Sequence, residues 1–87
     1  MDIEFDPDKD AINQTKHGLP PEFGAIILQN RVGETVDNRR DYGEIRINAF
    51  GLFQGRLFVC TYTMRDGAYR LISVRKASRQ EQHLWLS

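Results

Sequence analysis

The stretch RLFVCTYTMRDGAYRLISVRK, residues 56–76, decides the fold. Its two ends, residues 56–64 and 68–76, are rich in β-branched and aromatic side chains, which are typical of strands. Asp66-Gly67 separates them, and this dipeptide is a strong hairpin signal because both residues tolerate a positive φ. The stretch therefore predicts two antiparallel strands joined by a tight turn.

A third strand precedes this hairpin. Residues 44–50, EIRINAF, alternate between apolar and polar side chains, with Ile45, Ile47 and Ala49 on one side. Gln54-Gly55 provides a second short turn. Three strands joined by two tight turns form an antiparallel meander. The weaker β patterns of DIEF (2–5) and RVGETV (31–36) mark candidates for further short strands.

Helices are predicted before the meander. Residues 6–18 begin with Asp6, a good N-cap, and end at Gly18, a natural C′ residue. Residues 20–30 predict a second helix, although Gly24 weakens it by about 1 kcal/mol relative to alanine. The helical period places the following side chains on one face of the second helix: Phe23, Ile26, Ile27 and Asn30.

A last helix is predicted after the meander. Ser78 as N-cap and Glu81 three residues later form a capping box, in which each side chain bonds the other residue's backbone N–H. Helices before and after the meander in the chain indicate an α+β domain of two layers. The 87 residues correspond to one domain, residues 1–87.

Composition narrows the protein class. No apolar run approaches the roughly 20 residues that span a bilayer, and the acidic start MDIEFD lacks the features of a signal peptide. Cys60 is the single cysteine, so no internal disulfide and no cysteine metal cluster can form. We expect a cytoplasmic protein without a cofactor or metal, in which Cys60 packs in the core.

The charges are divided along the chain. Residues 1–38 carry eight acidic and three basic side chains, a net charge of −5, whereas residues 39–87 carry four acidic and nine basic ones, a net charge of +5. Eight of those nine are arginines, which bind phosphate through two hydrogen bonds and stack on bases. The second half is therefore a candidate nucleic-acid surface. The structural alternatives are that the two halves pair with each other or that their charges are simply solvated.

Four arginines come from the predicted strands or their turns. They are Arg46, Arg65, Arg70 and Arg75. Arg70 and Arg75 differ in parity, so strict strand alternation does not allow all four to be assigned to one side of the sheet. Exposed arginines whose stems cover the sheet are one interpretation. A shared phosphate site is the other.

Lys16 and His17 stand directly before Gly18. Cations in a last helical turn interact favourably with the helix dipole, by about 0.3–1 kcal/mol. His17 is also the kind of side chain that titrates near neutral pH and can transfer protons. Both a helix-capping and a catalytic interpretation stay open. Among the aromatic residues, Tyr42 in a polar loop is a candidate for stacking on a base. His83 and Trp85 near the end of the last helix are candidates for binding a partner, and we expect Trp85 to be exposed unless a partner buries it.

Several of these pieces together resemble one family, the BrnT toxins of bacterial type II toxin–antitoxin systems. The resemblance covers nearly the whole chain. It rests on FDPDKDAINQTKHG (5–18), RDYGEIR (40–46), GLFQGRLFVCTYTMRDG (51–67) and YRLISVRKASRQE (69–81). The first segment matches the family pattern D-x-x-K-x-x-x-N-x-x-K-H-G. Each piece alone is weak, and their order and spacing make the set specific.

The resemblance implies a compact RelE-like domain in which an antiparallel meander packs against N-terminal helices and carries a C-terminal helix. It implies an endoribonuclease that blocks translation. It also implies an antitoxin of the ribbon-helix-helix type, which neutralises the toxin in a heterotetramer and binds operator DNA.

Under this resemblance the chemistry is metal-independent RNA cleavage, in which the ribose 2′-OH attacks the adjacent phosphorus. The catalytic candidates are His17 as base or acid, Glu44 as a second candidate base, and Lys16, Arg65, Arg70 and Arg75 on the developing charge. The candidates for binding RNA are Arg46, Lys76, Arg79 and Tyr42. The alternative is a non-catalytic module that binds nucleic acid or protein, with arginines that supply affinity alone.

Overall fold

The computed structural model of the chain describes residues 2–5, 19–20, 22–38 and 43–86. Its elements are β1 (Ile3–Phe5), α1 (Phe23–Gln29), β2 (Arg31–Val36), β3 (Ile47–Phe53), β4 (Arg56–Arg65), β5 (Ala68–Lys76) and α2 (Arg79–Leu86). The helix predicted over residues 6–18, which includes Lys16 and His17, lies outside the described residues, as does Tyr42. No helix of the described ranges is long and apolar enough to cross a membrane.

The strands form one mixed sheet in the order β1-β5-β4-β3-β2. Strands β2 to β5 are antiparallel neighbours in chain order, so the predicted meander is confirmed and β2 extends it by one strand. The short β1 pairs in parallel with β5 at the opposite edge. The α+β class is confirmed as a five-stranded sheet with two described helices.

The two turns of the meander have the geometry that the sequence predicts. Gln54 and Gly55 have φ of 51° and 76°, and Asp66 and Gly67 have φ of 51° and 82°. Positive φ at both central residues gives the turn a twist that matches the twist of paired strands. Strand β5 has the predicted bounds, whereas β3 runs from Ile47 to Phe53 instead of 44–50.

Each side of the sheet has its own apolar cluster and its own helix. On the side that we call the α1 face, the buried cluster comprises Ile27, Leu28, Ala49, Phe58, Cys60, Tyr62, Leu71 and Val74. On the other side, the α2 face, the buried cluster comprises Phe50, Leu57, Val59 and Ala77, with Leu52 and Trp85 packed against it. Cys60 is fully buried, as predicted.

Helix α1 packs through a different face from the predicted one. Its buried residues are Gly24, Ile27 and Leu28, whereas Ile26 and Asn30 are exposed. The cause is Gly24: a Cβ built there would lie 2.6 Å from Leu71 Cδ1 and 3.0 Å from Cys60 Sγ. The helix therefore approaches the sheet most closely at its smallest residue, and the predicted face was wrong at Ile26 and Asn30.

Helix α2 begins with the predicted capping box. The Ser78 backbone N–H donates to Glu81 Oε1 over 2.7 Å, and the Glu81 backbone N–H donates to Ser78 Oγ over 3.1 Å. None of the α2 residues is fully buried. The cap therefore fixes where the helix begins, while its packing against the sheet rests on few side chains.

Trp85 provides the main apolar contact of α2. Its ring stacks on Phe50, with the centroids 4.9 Å apart, and lies directly over Gly33 of β2. The expectation that Trp85 is exposed was wrong, because the absence of a side chain at Gly33 leaves room for the indole. Its ring nitrogen is buried without a hydrogen-bond partner in the described part of the chain.

We predict that Gly33→Ala displaces Trp85. A Cβ at residue 33 would lie 2.6 Å from Trp85 Cη2, so the ring or the strand has to move. Because Trp85 is the single tryptophan, its fluorescence reports this directly: emission should shift to longer wavelength and acrylamide quenching should increase. Thr35→Ala, on the same strand and the same face, is the control. An unchanged emission spectrum for Gly33→Ala would contradict the packing described here.

Candidate functional site

Strand β5 contains one extra residue within the segment that pairs with β4. Thr61 of β4 pairs with Ser73, and the next residue, Tyr62, pairs with Leu71, so Ile72 has no partner. Such a bulge shifts the alternation of side chains by one position. Side chains that follow Ile72 therefore lie on the opposite face from the one that strict alternation with the residues before Ile72 would give.

The bulge brings Arg70 and Arg75 to the same side of the sheet. Arg70 pairs with Thr63 and Arg75 pairs with Val59, and both partners are odd-numbered residues of β4 that lie on the α2 face. The parity conflict that prevented a single assignment from sequence is thus resolved. Without the extra residue, one of the two arginines would lie on the α1 face, among the core side chains.

Arg46 and Arg65 meet at the same end of the α2 face. Glu44 connects them, because its Oε1 lies 3.4 Å from Arg46 Nε and its Oε2 lies 3.9 Å from Arg65 Nη2. The exposed fraction of the side chain is 18% for Arg46 and 51% for Arg65. The contact with Arg46 is therefore the more protected one, and the contact with Arg65 is a solvent-exposed pair of small energy.

Arg70 lies across Thr63 from Arg46. Thr63 is buried, pairs with Arg70, and donates its hydroxyl to the Ile45 carbonyl over 2.7 Å. Extending the β3–β4 register by one residue sets Arg46 opposite Thr63. Neighbouring strands are about 4.8 Å apart, so the two arginine backbones are about 10 Å apart with a small side chain between them. Glu4 of β1 pairs with Arg70, at 3.6 Å between Nη1 and Oε2.

Small polar side chains form the floor beside these arginines. They are Thr35, Asn48, Thr61 and Ser73, which pair in one row across β2, β3, β4 and β5. Thr61 Oγ1 donates to Asn48 Oδ1 over 2.6 Å. Sequence reasoning did not select this row, although alternation within residues 56–65 already sets Thr61, Thr63 and Arg65 on one side.

Arg75 is fixed by the helix cap. Its Nη1 and Nη2 donate to the two oxygens of Glu81 over 2.7 and 2.9 Å. These hydrogen bonds, together with the backbone N–H of Ser78, lower the pKa of Glu81 to about 2, even though burial opposes that change. The pair connects β5 to the start of α2 and orients the Arg75 guanidinium along the α2 face.

The other candidates occupy different places. Lys76 is exposed at the end of β5 and pairs with Phe58, an α1-face residue. Arg79 and His83 lie exposed on α2, and Leu86 lines the same shallow cavity as both. These residues are thus at the opposite end of β5 from Arg70.

The α1 face holds a separate polar cluster. Tyr62 Oη lies 3.1 Å from both oxygens of Glu34, and Arg31 contacts Glu34 and donates to Tyr69 Oη over 3.3 Å. Burial and the Glu34 carboxylate raise the pKa of Tyr62 to about 12. Burial likewise raises the pKa of the Cys60 thiol to about 12, so this thiol stays protonated at neutral pH.

Two further observations complete the site. Within the described ranges, no three His, Cys, Asp or Glu side chains are grouped as a metal site. Residues 5–81 match the family model of the BrnT ribonuclease toxin of type II toxin–antitoxin systems. The chain belongs to the BrnT family. No curated protein sequence matches it.

Membership of the BrnT family indicates the substrate class of the protein. The family comprises ribonuclease toxins, so RNA is the substrate and a protein antitoxin is the partner that a type II system implies. The BrnT match includes the arginines of the α2 face and excludes His83 and Trp85.

We predict that the Arg75–Glu81 pair stabilises the fold in a pH-dependent way. Glu81→Gln should lower the free energy of unfolding by about 1–2 kcal/mol at about pH 7, because a partly exposed charged pair and a cap are weakened. The pKa of Glu81 falls from 4.5 to about 2 on folding. The wild-type advantage is therefore complete above pH 4.5 and is lost as the pH falls towards about 2.

Urea titrations of both proteins across this pH range measure that advantage. Glu22→Gln is the control, since Glu22 at the N-cap of α1 makes no side-chain capping hydrogen bond. A stability difference that is the same at neutral and at acidic pH would show that the carboxylate charge contributes nothing.

Proposed function

We propose that the α2 face binds RNA and that the protein cleaves it there by metal-independent transesterification. The observation that carries the proposal is the convergence of Arg46, Arg65, Arg70 and Arg75 on one side of the sheet. Arginines grouped in this way match the phosphates of a nucleic-acid strand. This proposal accounts for the ribonuclease activity of the family with residues of this chain.

Phosphate binding is assigned to the gap over Thr63. A phosphate above this small buried side chain would have the guanidiniums of Arg46 and Arg70 on either side. Both already pair with carboxylates, Glu44 and Glu4. Those carboxylates orient the guanidiniums before RNA binds, so less side-chain entropy is lost on binding.

The reaction requires a base, an acid and positive charge that stabilises the transition state. A base removes the proton from the ribose 2′-OH, the resulting oxyanion attacks the adjacent phosphorus, and an acid protonates the leaving 5′-oxygen. The RNA supplies its own nucleophile, which makes an added metal hydroxide unnecessary. We assign one of the proton transfers to His17 and keep Glu44 as the second candidate base. Arginines on the pentacovalent phosphorane stabilise its developing negative charge.

The remaining assignments concern the charge at the reacting phosphate and the binding of flanking RNA. Lys16 and Arg65 add positive charge at the reacting phosphate. Arg75 lies five residues along β5 from Arg70, about 17 Å at the rise of a strand, and binds the next part of the RNA strand. Lys76, Arg79 and Tyr42 bind the rest of the RNA strand, by ion pairs and by stacking. His83 and Trp85 remain candidates for the antitoxin interface. Trp85 offers less of its surface to a partner, because its ring packs on Phe50, whereas Leu84 of α2 is exposed.

The cellular setting is inferred from the family. We propose a RelE-like toxin that acts in the cytoplasm and inhibits translation by cutting RNA. A ribbon-helix-helix antitoxin would neutralise it within a heterotetramer and would bind operator DNA. The net charge of +5 over residues 39–87 supports an antitoxin with acidic side chains that compete with RNA for the α2 face.

We predict that the purified protein cleaves single-stranded RNA in the presence of EDTA. His17→Ala should reduce the cleavage rate by about 10²–10⁴-fold, the contribution typical of a general acid or base, and should keep the wild-type circular dichroism spectrum. Unchanged cleavage by His17→Ala would remove His17 from the mechanism. Tight RNA binding without any cleavage by the wild type would instead support the non-catalytic module.

We predict that Arg70→Ala reduces kcat/KM by about 10²-fold, because it removes a charge from the transition state. Arg70→Lys should restore only part of this loss, since an ammonium does not reproduce the two-pronged contact of a guanidinium. The matched control is Arg31→Lys, an arginine of the α1 face that also pairs with a glutamate. Equal losses from the Arg70 and Arg31 variants would contradict the assignment to the α2 face.

A further inference from the structure

The cations of the described residues fall into two groups. Five arginines lie within ion-pairing distance of a carboxylate: Arg31, Arg46, Arg65, Arg70 and Arg75. In the same ranges, three cations have no such partner: Arg56, Lys76 and Arg79. The second group is clustered at one end of the sheet, around the β3–β4 turn, the end of β5 and the start of α2.

A cavity lies at the centre of this group. Its volume is about 350 Å³, and its lining residues are Gly55, Arg56, Leu57, Lys76, Ala77 and Gln82. None of these is acidic. A second cavity of about 260 Å³ adjoins it through the shared residue Gln82 and is lined by Arg79. Two adjoining concave surfaces thus carry the three cations that, within the described part of the chain, lack carboxylate partners.

We propose that the cavity between Arg56 and Lys76 is a second phosphate-binding subsite, which holds a phosphodiester group of the RNA strand away from the bond that is cut. This inference rests on the proposed function. Its physical basis is that cations without a carboxylate partner bind phosphate without first breaking an ion pair. They release condensed counterions from the RNA at no such cost.

The position of the subsite determines what it contributes. Lys76 is six residues along β5 from Arg70, a distance of about 20 Å at the rise of a strand. A phosphate at Lys76 is therefore a few nucleotides from a phosphate at Arg70. The RNA strand reaches it around the end of the sheet, because Lys76 pairs with Phe58 of the α1 face. The subsite binds flanking RNA and lies too far from the reacting phosphate to stabilise its transition state.

The test uses 2′-O-methyl RNA, which cannot be cleaved because the nucleophile is blocked, so that binding is measured whether or not the protein cleaves RNA. One oligonucleotide is just long enough for the Arg46–Arg70 gap, and a second is extended on both sides. Fluorescence anisotropy at several salt concentrations gives the affinity and its salt dependence. The wild type should bind the extended RNA more tightly and with a steeper salt slope.

Arg56→Ala should weaken binding of the extended RNA and reduce its slope of log K against log salt by about 0.7, the value for one phosphate contact to a single strand. Lys76→Ala should have the same effect, and Arg56→Lys should retain the slope. The affinity for the short RNA should not change. The matched control is Gln29→Glu at an exposed position of α1, which changes the net charge by the same amount as Arg56→Ala.

Three results would overturn the subsite. They are an extended RNA that binds no better than the short one, an equal loss for both RNAs in Arg56→Ala, and an equal loss in Gln29→Glu. Failure of the proposed function is a different observation, because it would appear as no cleavage of unmodified RNA by the wild-type protein. The two ideas are therefore tested separately.

Discussion

Ile72 is the residue on which the distribution of charge in this protein depends. It has no partner in β4, and the bulge that it creates allows Leu71 and Val74 both to enter the apolar cluster beneath α1. The same shift sends Arg70 and Arg75 to the opposite side of the sheet. An ideal strand would place Leu71 and Val74 on opposite faces, and would separate Arg70 from Arg75 in the same way. One extra residue brings each pair together.

A second bulge acts in the same way at the edge of the sheet. Arg31 pairs with Gly51 and Gly33 pairs with Phe50, so Val32 is unpaired. As a result Arg31 shares the α1 face with Glu34 and the two form an ion pair, while Gly33 lies under Trp85 on the α2 face. The sheet thus keeps one glutamate–arginine pair away from the proposed RNA surface and makes room for α2 on it. In both strands a local irregularity determines which chemistry each face presents.

Local signals in the sequence were sufficient for most of the architecture. Asp66-Gly67 predicted the hairpin, Ser78 and Glu81 predicted the last helix, and the order of motifs predicted the family. The grouping of arginines could not be predicted, because the Ile72 bulge depends on how β4 and β5 pair across the hairpin, which the alternation along one strand does not show. Exposure of Trp85 was wrongly expected, since its cover is Gly33, which is remote in sequence. Short-range patterns identify elements, whereas contacts between elements decide which side chains share a face.

The central claim is that RNA lies on the α2 face. Arginine Nε–Hε signals in an NMR titration with uncleavable 2′-O-methyl RNA test it most directly, because each guanidinium is observed separately. The signals of Arg46, Arg65, Arg70 and Arg75 should shift together and saturate at one RNA concentration, while that of Arg31 on the α1 face should stay constant. A shift of Arg31 with no change in the other four would contradict the account.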